Sequence, residues 1–404
     1  MTAPAMLAEI DGIGRDPVRG GHSRHLLDDA DRELREWFVS TAKNLGLEVE
    51  RDGNANLWAW WHPAAGPAYP AVITGSHLDS VPGGGALDGP LGVVSALEAV
   101  SRLRAAGHQP ARSVAVVVFA EEEGARFGVA CLGSRLLTGV LPADRALDLT
   151  DAGGHRLRDV LAENGIDPAG AGADPDRLAR VGVVVELHVE QGKQLAPLGA
   201  PLGLATTILA HGRWSLRITG RGDHAGSTEL SSRRDPVVVA ADVIKAVRQA
   251  AVDAPTEAHA RATVGRLTVT PGGTNAIASE VVLWLDARAE HDREVRDLVA
   301  AVSAAASRAA AAEGCAVTVQ EESFSSRVAF DQQLTDRLDG VLGGIPRIPT
   351  GAGHDAGVLA AFAPSAMLFV RNPEGVSHAP AETASDADIS RGVTALAACL
   401  ADLT

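Results

Sequence analysis

Apolar and polar positions follow two rhythms along this chain, and the change of rhythm divides it. Through the first half, short wholly apolar runs at 71–74, 114–120 and 181–187 stand between segments of helical period. Such runs read as strands buried on both faces, with the helices between them covering the sheet. One long amphipathic helix is expected over 23–46, where Leu26, Leu27, Leu34, Trp37 and Phe38 mark the apolar positions and Gly46 the stop. Another is expected over 90–106. From about residue 203 the texture changes. Residues 213–219 alternate like a half-exposed strand, 235–251 look helical, 262–270 and 281–288 are strands, 291–313 is an Ala-rich helix and 317–320 a last strand. That is a compact α+β arrangement packing one face of a sheet. The first texture then returns, with a helix at 331–342 and a strand at 365–370. The expected class is therefore α/β: a helix-covered mixed sheet formed by 1–211 and 326–404, interrupted by a smaller α+β domain at 212–325.

Length agrees with two domains, since 404 residues exceed what one core usually serves. With 36 Lys and Arg against 51 Asp and Glu, the formal charge is −15. No basic face is available to displace counterions, so a general nucleic-acid partner is excluded, whereas one or two local Arg residues could still hold a small anion. Cys131, Cys315 and Cys399 show no CxxC spacing, so neither a disulfide framework nor a thiolate metal site is expected. Residues 1–10 lack the pattern of a secretory signal, and the apolar run 114–120 is far too short to span a bilayer. No membrane partner and a cytoplasmic location are expected.

Chemistry-bearing side chains gather where the apolar strands end. His77 and Asp79 follow the first run, and Asp88 lies in a Gly-rich loop just before the helix at 90–106. That spacing lets Asp79 accept a hydrogen bond from one nitrogen of His77 while the other binds a metal. Glu121, Glu122 and Glu123 follow the second run, and three adjacent carboxylates repel one another unless a proton or cation compensates. Glu186, His188, Glu190 and Gln191 close the third, and His378 lies in a loop after 365–370. A turn with a stray His, or a solvated acidic loop, explains any one of these clusters alone. Their joint position at strand exits favours a site binding Zn²⁺ or a harder ion such as Mn²⁺.

The ordered series GSHLDS, LDGPLG, EEEGARFG, ELHVEQG, GRGDHAGST, TNAIAS, LDARAE, GAGHDAG and GVSHAP resembles the M20 metallohydrolases. Within them it is similar to the hydantoinase/carbamoylase branch of N-carbamoyl-L-amino acid hydrolases, allantoate amidohydrolases and β-ureidopropionases. The resemblance covers nearly the whole chain. It implies two divalent metal ions per subunit, zinc or manganese first and cobalt or nickel as alternatives, bridged by Asp88. His77 and His188 would complete one ion's protein ligands, and Glu123 and His378 the other's. Glu122 would be the general acid/base and Asp79 would orient His77. The inserted domain would be a lid and homodimerisation module, with His224 contacting the reacting carbonyl and Asn275 and Arg288 contacting a substrate carboxylate. Gln191 and Gly353 would line the substrate site from the catalytic domain. His at 188, where peptidase relatives place an acid, favours a ureido substrate over a peptide. The expected function is a hydrolase acting on the ureido C–N bond of a small carboxylate, with allantoate first because the motifs look polar. An N-carbamoyl-L-amino acid hydrolase or β-ureidopropionase is the alternative, followed by an M20 peptidase and by a catalytically silent carboxylate-binding protein.

Overall fold

In the computed structural model, which describes residues 1–404, the apolar runs become the middle of one nine-stranded sheet. Six strands run up to the insertion: β1 Glu48–Arg51, β2 Leu57–Trp61, β3 Ala71–His77, β4 Val114–Phe119, β5 Val181–Val189 and β6 Leu202–Ile208. The next six are β7 Ala210–Thr219, β8 Asp223–His224, β9 Arg261–Thr270, β10 Ala276–Ile277, β11 Glu280–Ala289 and β12 Ala316–Ser325. Three follow: β13 Val328–Ala329, β14 Arg347–Thr350 and β15 Ser365–Val370. Two units result, 1–206 with 329–404, and 207–328.

In the larger unit the sheet order is β1-β2-β4-β3-β5-β15-β6-β13, with β14 on β6. β3 lies parallel to β4 and β5, and β15 parallel to β5, while β2 and β6 join the central strands antiparallel. Every residue of β3, β4 and β15 is buried, which is why these strands read as continuous apolar runs. Helices Ala3–Ile10, Asp29–Asn44, Pro90–Ala105 and Asp386–Leu403 carry Met6, Phe38, Leu97 and Leu396 into the main core with Val116, Val185 and Leu368. The parallel register puts His77 opposite Phe119 and His188 opposite Phe369, so these strands finish at one common edge.

The helix expected over 23–46 is shorter. Leu27, at φ 58°, turns the chain, and Asp28 caps the helix by accepting the Asp31 amide, so the helix starts at Asp29. Leu26 and Leu27 are still buried, but in a second core with Phe127, Leu132 and Leu161. Strands β1, β2 and β6 and the short helices between 132 and 178 had no clear pattern in the sequence.

In the smaller unit the sheet order is β12-β7-β11-β9, all antiparallel. Helices Pro236–Asp253 and Asp292–Ala312 cover one face, packing Val239, Val243, Val295 and Val302 on Trp214, Leu216 and Leu283. Strand β7 alternates buried with more exposed residues, and Arg213 and Arg217 lie on its open side. β8 and β10 form a separate two-stranded ribbon. No helix of the chain is long and apolar enough to cross a membrane.

Candidate metal centre

The carboxyl ends of β3, β4 and β5 deliver His77, Glu122 and His188 to one place, where ligands collect in open α/β sheets. Both imidazoles are wholly buried. His77 Nδ1 lies 3.0 Å from the Asp79 carbonyl oxygen, and His188 Nδ1 lies 2.9 Å from that of Val189. A carbonyl only accepts, so each Nδ1 carries a hydrogen, and each Nε2 faces Asp88, free to present a lone pair to an ion once it carries no proton. Asp79 thus meets His77 through its main-chain oxygen, the nearer of its acceptors. Its Oδ1 is 3.6 Å from His77 Nδ1, and the carboxylate accepts the Glu122 and Glu123 amides at 3.2 and 3.1 Å. Asp79 thereby joins the β3 turn to the acidic loop after β4.

Asp88 is 3% exposed, at the end of a loop that Gly89 turns with φ 87°. A Cβ at Gly89 would lie 2.5 Å from the His77 ring, so only glycine lets the loop pass. The two carboxylate oxygens of Asp88 face different partners. Oδ1 lies 3.7 Å from His77 Nε2 and 3.3 Å from His188 Nε2. Oδ2 lies 3.4 Å from His378 Nε2, which is also 3.4 Å from Glu123 Oε2. Two metal-sized ligand groups follow, His77–Asp88–His188 and Asp88–Glu123–His378, with Asp88 common to both. Gln191 Nε2 and Ser377 Oγ also donate to Asp88 Oδ2, at 2.8 and 3.1 Å.

The three adjacent carboxylates do three different things. Glu121, at φ 53°, turns the chain and accepts the Arg126 and Phe127 amides. Glu122 Oε2 sits 3.6 Å from His77 Nε2, and its Oε1 takes a contact from Cys131 Sγ at 3.5 Å. Glu123 reaches His378. Burial, then the charges of Glu123, Asp355, Asp79 and Asp88, push Glu122 well above the usual carboxylate range. Burial and the charges of Asp88 and Asp79 push Glu123 up to about 9. Burial alone would raise Asp88, but contact with His188 and the fields of His77 and His378 hold it below the usual range. Burial likewise opposes the charge on His188, and Asp88 outweighs it, holding the imidazole up to about 9. His77, where burial dominates, falls to about 4. So much buried negative charge with so little protein cation is the electrostatic signature of a cation site.

The residues fit a pair of divalent ions. His77 Nε2 and Glu123 Oε1 are buried without hydrogen-bond partners, and a donor set of imidazole and carboxylate suits zinc or manganese. A further layer lies behind the ligands: Glu186 from the third strand-end cluster, and His354 with Asp355 from the GAGHDAG motif. Glu186 accepts from Ser76 Oγ and the Ala356 amide, Asp355 accepts from Ser134 Oγ, and the His354 ring stands 4.6 Å from that of His188. The exposed Gly353 immediately precedes His354.

In the smaller unit His224 and Asn275 come together, because Ala276 pairs with His224 and the Asn275 carbonyl accepts the Ala225 amide. His224 is exposed, and its Nδ1 accepts the Gly226 and Ser227 amides at 3.0 and 3.1 Å. Arg288 is elsewhere, opposite His211 at the far end of β11, with Nε and Nη2 on Asp286 at 2.7 and 3.0 Å.

The family profile described as peptidase family M20/M25/M40 matches residues 73–402. The chain belongs to this family. The M20 enzyme is 35% identical over 395 residues to the N-carbamoyl-L-amino acid amidohydrolase of Geobacillus stearothermophilus, covering 96% of this chain and 95% of that one. It is 30% identical over 388 residues to the allantoate amidohydrolase of Bacillus subtilis, covering 93% and 91%. A crystal structure of an amidase of the hydantoinase/carbamoylase family from Burkholderia multivorans superposes with a TM-score of 0.88 at 30% identity, covering 98% of this chain and 96% of that one.

Proposed function

We propose that this M20 enzyme hydrolyses the ureido C–N bond of a small carboxylate, using two divalent ions shared through Asp88. The observation that supports this most is the split of Asp88, one oxygen toward His77 and His188 and the other toward His378. In this reading His77, Asp88 and His188 hold one ion, and Asp88, Glu123 and His378 the other. Bound there, the ions supply the positive charge that acidifies water and polarises a carbonyl. Glu122 accepts the proton of the attacking water and returns it to the leaving nitrogen. Asp79 holds the backbone on which that base stands. His224 Nε2–H donates to the oxyanion as it forms. The carbamate released then falls to carbon dioxide and ammonia.

Allantoate is the substrate that the polar motifs favour. N-carbamoyl-L-amino acids are the second reading, favoured by 35% identity to such an amidohydrolase against 30% to an allantoate amidohydrolase. Gln191, Asn275, Arg288 and Gly353 are the proposed substrate contacts. Turnover of allantoate, several N-carbamoyl-L-amino acids and a dipeptide panel, with added Mn²⁺ or Zn²⁺ and with a chelator, tests the proposal. Metal-dependent ammonia release from a ureido compound is expected. Turnover confined to dipeptides, or none on any ureido compound, would overturn it.

The smaller unit serves in this proposal as lid and homodimerisation module. Eight residues of β11 separate Glu280, beside the β8–β10 ribbon, from Arg288, about 26 Å at the usual strand rise. That is further than a small ureido carboxylate extends. In the proposed homodimer one copy supplies Arg288 and the other His224, so that both can serve one substrate.

A further inference from the structure

Loops 83–89 and 375–382 lie nearly 300 residues apart in sequence, and both carry ligands of the Glu123 side of the proposed centre, Asp88 and His378. They meet at Glu382, which is 7% exposed. Glu382 Oε2 accepts the Leu87 and Asp88 amides, each at 3.0 Å. Its own amide donates to the Ala379 carbonyl at 3.1 Å, closing the turn that follows His378. The chain passes so close at Gly85 that a Cβ there would stand 2.1 Å from Glu382 Oε2. One side-chain oxygen that accepts two amides of the other loop ties the two segments together at a single buried point. His77 and His188 stand on the ends of β3 and β5 and have no such dependence, whereas His378 stands in a loop, at φ 56°.

We infer that Glu382 is a positioning residue that latches the Asp88 loop to the His378 loop and so sets the affinity for the ion on the Glu123–His378 side. The inference rests on the two-ion reading above. It predicts an asymmetric defect. Without the latch, the ion held by two strand-borne imidazoles keeps most of its affinity, while the ion that depends on two loops loses it. Changes to groups that orient metal ligands typically cost about 10–100-fold in affinity.

The test is calorimetric titration of the metal-stripped full chain with Mn²⁺, and separately with Zn²⁺, checked by metal content after dialysis. Wild type should take two equivalents. Glu382→Ala should hold the first near wild-type affinity and weaken the second about 10–100-fold. Glu382→Gln, which keeps an oxygen acceptor without the charge, should fall between. Gly85→Ala should reproduce the second-site defect with the carboxylate still present. Glu382→Gln and Gly85→Ala carry the comparison if Glu382→Ala does not fold. Wild-type affinity for both equivalents in these variants would overturn the latch and leave the two-ion reading standing. Equal loss of both equivalents together with a lowered melting temperature would make Glu382 merely structural. Fewer than two equivalents in wild type would overturn the two-ion reading, and the latch with it.

Discussion

Replacing His224 by Asn separates its proposed chemical role from its local structural one. His224 Nδ1 accepts two backbone amides, from Gly226 and Ser227, so the ring hydrogen resides on Nε2 and points away from the turn. The Oδ1 of Asn can reach the position of Nδ1 and keep both amide bonds, yet nothing in Asn extends to the position of Nε2. The turn survives and one donor is lost. Removing a single oxyanion donor costs about 10²–10³ in kcat, or about 2.7–4 kcal/mol. The oxyanion exists only in the transition state, so KM should stay close to wild type while kcat falls. His224 is exposed and lies outside the unit that carries the metal ligands, so metal content and melting temperature should not change. His224→Gln makes the converse change: its amide N–H can reach the Nε2 position, and it should recover part of the rate. Steady-state ammonia release on the preferred ureido substrate, with metal content measured on the same samples, gives the comparison. A His224→Asn enzyme with wild-type kcat, or one altered in KM alone, would refute the donor role.

Glu122→Gln should retain both metal equivalents and lose about 10²–10⁴ in kcat, since it removes the proton acceptor but no proposed ligand; measurable activity at the wild-type level would exclude Glu122 as the base. Mixing inactive Arg288→Ala and His224→Asn chains should restore activity if sites draw on both copies, because one of the two sites in a mixed dimer then has both residues intact; no recovery on subunit exchange would exclude shared sites. The metal-free protein should lose stability between about pH 7 and 9, read as a falling melting temperature. Glu123 and His188, both held up to about 9, bind protons in the folded state that the unfolded chain has released, and that stabilisation disappears as pH rises. The lowered pKa of His77 contributes a constant amount above pH 6.5. Bound metal should remove the slope, because the ions favour the deprotonated ligands.

The central strands were legible because burial on both faces leaves an unbroken apolar run: residues 365–370 form β15 with the expected bounds, and 114–120 overshoots β4 by one residue. The helix at 23–46 was overextended because apolar spacing cannot show that Leu27 turns the chain and that its neighbour Leu26 joins a different core. His77, Glu122, Glu123 and His188 could be collected because each sits at or just beyond a strand end, and strand ends have a local signature. That the Asp79 carboxylate also accepts two amides more than 40 residues away could not be read, because that contact depends on tertiary geometry. Glu382 was passed over for the same reason: its partners are amides of an ordinary-looking loop some 295 positions earlier. Arg288 stands in a motif, but its pairing with Asp286 becomes visible only when both project from one side of β11.

The place of β15 between β5 and β6 bears on how the molecule is made. During synthesis the six strands up to residue 208 emerge first but leave a gap that only residues 365–370 can fill. The smaller unit is continuous from 207 to 328 and can finish its own sheet while the ribosome is still working. His378 leaves later still. A nascent or prematurely terminated chain therefore carries the His77 and His188 pair without His378, so the proposed centre is complete only in the finished polypeptide.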